Sequence, residues 1–140
     1  MWRLCAILGL AGAAAHAAPS CKNISATALT FTNYDVYAGA PNDVSGTISY
    51  SCPPPISPTV TIDAGLHASG GQRHMLLLTG TDLLAYDVFV DSTYTVIWGS
   101  TPVAVAAGNA ATVRFYGRAY ALQDVGVGNY ADTLTVTFNF

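Results

Sequence analysis

Apolar and polar residues alternate with a period of two along most of the chain, the repeat that sends successive side chains to opposite faces of a strand. Leu29 and Phe31 alternate with Thr30 and Thr32, and Val44, Gly46, Ile48, Tyr50 and Cys52 alternate with Ser45, Thr47, Ser49 and Ser51. The pattern returns in Val60 and Ile62 among Thr59, Thr61 and Asp63. It appears again in Leu84, Tyr86, Val88 and Val90, in Tyr94, Val96 and Trp98, and in Val113 and Phe115 around Arg114. It is cleanest at the end, where Leu134, Val136, Phe138 and Phe140 point one way and Thr133, Thr135, Thr137 and Asn139 the other. Turn signals separate these runs at residues 39–43, 53–55, 69–71, 99–102, 107–109 and 126–129, where Gly, Pro, Asn and Ser gather. Beyond residue 17 no stretch sustains the i, i+3, i+4 apolar spacing of a helix. Many short strands divided by such turns predict an all-β fold, an antiparallel sandwich of immunoglobulin-like type.

The first residues depart from this pattern. Arg3 is the only charge ahead of an apolar run over residues 4–15, and Ala15-His16-Ala17 places small residues at both positions that a signal peptidase reads. A signal peptide is therefore expected over residues 1–17 and a single domain over 18–140. Cleavage after Ala17 is preferred to cleavage after Ala18, because Pro19 would then follow the scissile bond. The apolar run is too short to cross a bilayer, which takes about 20 residues, and no later segment approaches that length, so no membrane span is expected. Cys5 lies inside the run rather than just after it, which argues against a lipid anchor.

Export makes the remaining cysteines legible. With Cys5 removed, Cys21 and Cys52 form an even pair in an oxidising compartment, for which a disulfide is the default. Their separation of 31 residues would constrain the unfolded chain by about 3.5 to 4 kcal/mol. Neither cysteine has His or a second Cys at metal-ligand spacing, which argues against zinc, and a catalytic thiol is not expected either.

Charge narrows the function further. Only 9% of residues are charged, against roughly 25% in ordinary soluble domains. There is no Glu, the eight acids are all Asp, and Lys22 is the one lysine. Four basic side chains against eight acidic ones give residues 18–140 a net charge of −4, which argues against a nucleic-acid partner, since that needs a basic patch to neutralise phosphates. A hydrophobic fraction of 51% argues against disorder.

The two ends raise a packing question. The chain stops within its most regular strand, while only Ala18, Pro19 and Ser20 precede Cys21 after the expected cleavage. A terminal strand with a strong apolar face needs a partner, because an open edge aggregates. Either a neighbouring strand of this chain covers it or another polypeptide does.

Several motifs together resemble a known family. Cys21 is followed by Phe31-Thr32-Asn33-Tyr34 and by Gly46-Thr47-Ile48-Ser49-Tyr50-Ser51-Cys52. Arg73-His74-Met75, Leu84-Ala85-Tyr86-Asp87-Val88-Phe89-Val90-Asp91 and Trp98-Gly99 come next. Tyr116-Gly117-Arg118, Gln123 and Gly128-Asn129-Tyr130-Ala131-Asp132-Thr133-Leu134-Thr135-Val136-Thr137-Phe138 complete the set. This combination resembles the spore coat protein U domain family, which includes subunits of archaic, Csu-type chaperone–usher pili, and it covers residues 21–140. Thr32 stands where the family usually has Gly after the Phe, a departure that bears on local turn geometry. The resemblance implies an incomplete immunoglobulin-like sandwich of six strands that lacks its seventh. A periplasmic chaperone supplies the missing strand in transit, and the N-terminal extension of a neighbouring pilus subunit supplies it in the fibre. The face of Leu134, Val136, Phe138 and Phe140 would border the strand-acceptor groove, where main-chain bonds give strength and alternate apolar pockets give register. Implied partners are the periplasmic chaperone, an outer-membrane usher and neighbouring subunits. The implied location is the periplasm in transit and then the cell surface or extracellular pilus or coat. Fibre-continuing members carry a donor segment of about ten or more residues before the first Cys, at about 3.3 Å per residue. With three such residues, this chain is expected to accept a strand but not to donate one by that route, as a fibre tip or a coat-type protein would.

No catalytic constellation emerges. Ser69, His74 and Asp63 contain the residue types of a hydrolytic triad, but neighbours in sequence are not a triad in space, and no Gly-x-Ser-x-Gly elbow frames a serine. His67 and His74 are expected to be solvent-facing loop histidines. The aspartates lack the spacing of a calcium loop and do not suggest a glycosidase pair, so no enzyme activity, cofactor or metal is expected. Arg73, Arg114 and Arg118 are expected to tie loops to the sandwich through Asp87, Asp91 or Asp132, with contact to an anionic partner as the alternative. Tyr86, Tyr94, Trp98, Tyr116 and Tyr130 fill or flank the core on one reading and bind surfaces or sugars on another. The alternative function is a self-sufficient secreted binding module, such as a carbohydrate or matrix binder, whose sandwich closes on itself.

Overall fold

The computed structural model describes residues 18–140 and the backbone of residues 3–6; the rest of the expected signal peptide lies outside the described residues. In chain order the strands are β1 (Arg3–Ala6), β2 (Lys22–Ala26), β3 (Asn42–Cys52), β4 (Thr59–Ile62), β5 (Arg73–Leu77), β6 (Leu83–Phe89), β7 (Val103–Ala104), β8 (Gly108–Ala119), β9 (Tyr130–Ala131) and β10 (Thr135–Asn139). They form a six-stranded sheet in the order β2-β3-β8-β6-β5-β9 and a four-stranded sheet in the order β1-β10-β4-β7. The described chain is all β, an immunoglobulin-like sandwich. Every strand pairing is antiparallel except one: β1 runs parallel to β10.

The inward positions are those the alternation marks. From the larger sheet Ile48, Tyr50, Leu84, Tyr86, Val88, Phe115 and Ala119 point inward, and from the smaller sheet Val60, Ile62, Val136 and Phe138, all of them buried. Burying one such large apolar side chain contributes about 1.5–3 kcal/mol. The rings of Tyr50 and Phe138, 5.0 Å apart, join the two layers. Gly46 lies opposite Phe115 in the β3–β8 ladder, and a Cβ there would come within 2.3 Å of the phenyl ring. Gly46→Ala is therefore expected to cost about 1–3 kcal/mol by overpacking, seen as a lower urea midpoint at unchanged slope.

Three runs fold differently from the alternation. Leu29 and Phe31 belong to a segment without a regular strand, in which both side chains reach over Gly117 and fill the space that glycine leaves. Tyr94, Val96 and Trp98 form a loop instead of a strand. The Asp91 carboxylate accepts the Thr95 and Val96 amides and the Thr93 and Thr95 hydroxyls there, while Tyr94 adopts φ 57°. These bonds hold the Asp91 carboxyl below the usual carboxylate range, the Thr93 hydroxyl contributing most. The loop covers the outer side of β6, which is why Phe89 is buried although it faces away from the core; Tyr94 stacks edge-on against it at 5.5 Å. Phe140 lies beyond the end of β10 and is 44% exposed.

Candidate functional site

The sequence directs attention to the last strand. Leu134, just before β10, and Val136 and Phe138 within it are each 1% exposed, so this face is fully committed to the core. On one side β10 pairs with β4, with Val136 opposite Ile62 and Phe138 opposite Val60. On the other side its partner is β1, with Leu4 opposite Val136, Cys5 opposite Thr137 and Ala6 opposite Phe138. β1 also approaches β2, the edge strand of the other sheet, and so lies where the two sheets meet. The strand that completes this edge thus comes from residues expected to form the leader. Among residues 18–140, β10 has a hydrogen-bonded neighbour on one side only.

A cavity of about 540 Å³ is lined by Leu29, Phe31, Met75, Leu84, Val125 and Tyr130 among others. A smaller recess of about 100 Å³ shares four of these residues and reaches Tyr86, Asp132 and Leu134.

Two aspartates fix the backbone around the start of β10. Asp63 receives the Thr135 amide through its carboxylate at 2.9 Å, and its own amide donates to the Thr135 carbonyl at 3.0 Å, extending the β4–β10 ladder. Asp132, with its side chain 2% exposed, accepts the Tyr86 hydroxyl at 2.6 Å, the Leu66 amide at 3.0 Å and Nδ1 of His67 at 3.0 Å. Gly65 permits that approach: it has φ +83°, and a Cβ would lie 2.1 Å from the Asp132 carboxylate. Burial, and then the bond to Asp132, push the Tyr86 phenol far above its ordinary value. Burial and the Asp87 carboxylate push Tyr120 up to about 12. Both phenols hold their protons more tightly in the folded state, so their contribution is intact below pH 10, the unfolded value, and is lost as pH rises toward 12 and beyond. Urea midpoints are expected to fall above pH 10, and less steeply in Tyr120→Phe.

The other residues singled out by the sequence divide cleanly. Cys21 and Cys52 form a disulfide that ties the start of β2 to the end of β3. Arg73 reaches Asp87 at 3.1 Å, as expected, whereas Arg118 makes a two-pronged bond to Asp43 at 2.7 and 2.8 Å, with its guanidinium 3.9 Å above the Tyr94 ring. His67 lies in a turn with its side chain 30% exposed and is bound to Asp132, whereas His74 lies within β5, its Nδ1 buried without a hydrogen-bond partner, and is not a water-facing loop histidine. Ser69 pairs through its backbone with Gln72 in a tight turn, and the Asp63 carboxylate is occupied by the Gly65 and Thr135 amides. Among the described residues no group of three or more His, Cys, Asp or Glu is placed to hold a metal. No described helix is long and apolar enough to cross a membrane.

Sequence reasoning missed Gln123 as a structural element. It accepts the Ala85 amide at 2.6 Å and donates to the Ala85 carbonyl at 2.9 Å, imitating a strand residue beside β6.

Fold and site together define an immunoglobulin-like β-sandwich in which a segment from ahead of the disulfide completes one sheet edge. Residues 7–137 match the Spore Coat Protein U domain, and the chain belongs to that family. It is 28% identical over 106 residues to Protein U of Myxococcus xanthus, an alignment that takes in 69% of this chain and 59% of that protein. The fold is also similar to a chain in the crystal structure of the CsuC–CsuE chaperone–tip adhesion subunit pre-assembly complex from archaic chaperone–usher Csu pili of Acinetobacter baumannii. The TM-score is 0.68 at 23% identity, covering 88% of this chain and 40% of the other.

Proposed function

We propose that this chain is an exported structural or adhesion subunit of a chaperone–usher type pilus or a cell-surface coat, without catalytic activity, and that it accepts a β-strand along the outer edge of β10. In this reading residues 1–17 are a leader removed on export. A periplasmic chaperone, and then a neighbouring subunit at the usher, takes the place beside β10. The observation that carries it is the combination at β10: a face 1% exposed at Leu134, Val136 and Phe138, on a strand whose second neighbour comes from residues 3–6. An edge strand with so strong an apolar face requires a partner, and strand addition supplies one by main-chain bonds and alternate side chains. Membership of the family and the likeness of fold to the chaperone–subunit complex support the same reading.

The test is the state of the exported protein. The expected result is a mature chain beginning at Ala18, with Cys21 linked to Cys52. It should co-purify with its chaperone and self-associate when stripped of it. A mature chain that is a lone soluble monomer with one high-temperature transition, unmoved by any strand peptide, would establish the self-sufficient binding module instead.

A further inference from the structure

The pairing of residues 3–6 with β10 bears on the order of events before maturation. We infer that the leader is a built-in placeholder: while it remains attached, its strand occupies in parallel register the edge that later takes a partner. This rests on the acceptor reading above and adds to it the identity of the first occupant. The register is specific, with Arg3 opposite Thr135 and Ala6 opposite Phe138, directly outside the buried Val136 and Phe138. The segment is apolar apart from Arg3, which suits a strand placed where the two sheets meet. Tethering favours it strongly. Only residues 7–21 separate β1 from β2, and a tether of this length gives an effective concentration on the order of 1 mM. A strand offered in trans at micromolar concentration therefore competes poorly until water hydrolyses the Ala17–Ala18 peptide bond and the leader departs.

Two measurements on the full chain test this. The first uses the native Cys5, which lies opposite Thr137. Under mild oxidation, Thr137→Cys is expected to trap a cross-link between Cys5 and position 137, whereas Thr135→Cys, two residues out of register, is not. Equal trapping in both variants, or none in Thr137→Cys, overturns the placeholder while leaving the acceptor reading intact. The second inserts a site-specific protease sequence between Ala17 and Ala18 and follows binding of a fluorescent peptide of residues 1–10 carrying Cys5→Ser. The apparent Kd is expected to tighten at least tenfold after cleavage and removal of the leader by gel filtration. Equal, measurable binding before and after cleavage overturns the placeholder. Binding in neither state, with the cleaved chain still folded by circular dichroism, overturns the acceptor reading as well.

Discussion

Arg73→Met is expected to destabilise the protein by about 3–5 kcal/mol, the usual loss when one partner of a buried ion pair is removed. Arg73 is 3% exposed and Asp87 4%, so substitution strands a carboxylate inside the protein. The ion pair is only part of the effect. Arg73 Nε donates to the Asp63 carbonyl, and Nη2 to the carbonyls of Ile62, Asp63 and Trp98, at 2.7–3.1 Å. Through these bonds one guanidinium on β5 fastens the end of β4, in the opposite sheet, and the turn after Trp98. Met reproduces only the apolar stem of the side chain, so the loss combines unsatisfied polar groups with the buried space that the guanidinium leaves. The Asp87 carboxylate also accepts Gln72 Nε2 at 2.9 Å and the Tyr120 hydroxyl at 3.0 Å. Asp87→Leu alone therefore leaves donors without an acceptor. The double variant is expected to lose less than the sum of the two singles, because neither then leaves the other's charge buried and alone. Urea unfolding of the four proteins measures this directly; strict additivity would show that the pair does not act as a unit.

What the sequence discloses about this fold follows from where burial is one-sided. The strands at residues 42–52, 59–62, 83–89, 108–119 and 135–139 have an apolar inner face and a more polar outer one, and their alternation is visible at once. β5 is not, because Arg73 occupies an inward, buried position and its apolar neighbours Met75, Leu76 and Leu77 read as a continuous run. β2 carries a register shift between Lys22 and Ser25, with Asn23 at φ 55°, which destroys a period of two. The false strand at residues 94–98 shows the opposite failure. Its alternation is real, but Val96 and Ile97 are more than half exposed, and the Asp91 side chain sets the backbone there. At the candidate site, Leu134, Val136 and Phe138 were legible because each faces the core. The parallel strand of residues 3–6 was not, because a short apolar run ahead of a cleavage motif carries no mark of pairing.

Replacing both Cys21 and Cys52 by Ala is expected to cost about 3.5–4 kcal/mol, the loop-closure value for a separation of 31 residues, and the loss is expected to concentrate at one edge. β2 is five residues long, interrupted by its bulge, and paired to β3 alone. Its core contribution is slight: Ile24 and Ala26 are only partly buried. The disulfide holds the first residue before this strand to the last residue of β3, whose own ladder with β8 spans nearly its whole length. Without it β3 retains that ladder while β2 keeps only its own, so amide exchange is expected to rise first over residues 22–26 and then over 27–36, where Leu29 and Phe31 lie over Gly117. Since β1 sits between β10 and β2, the same variant is expected to loosen one wall of the acceptor seam, and a strand peptide should bind it more weakly. Unchanged exchange over residues 22–26, together with a uniform loss elsewhere, would instead place the effect of the disulfide wholly in the unfolded chain.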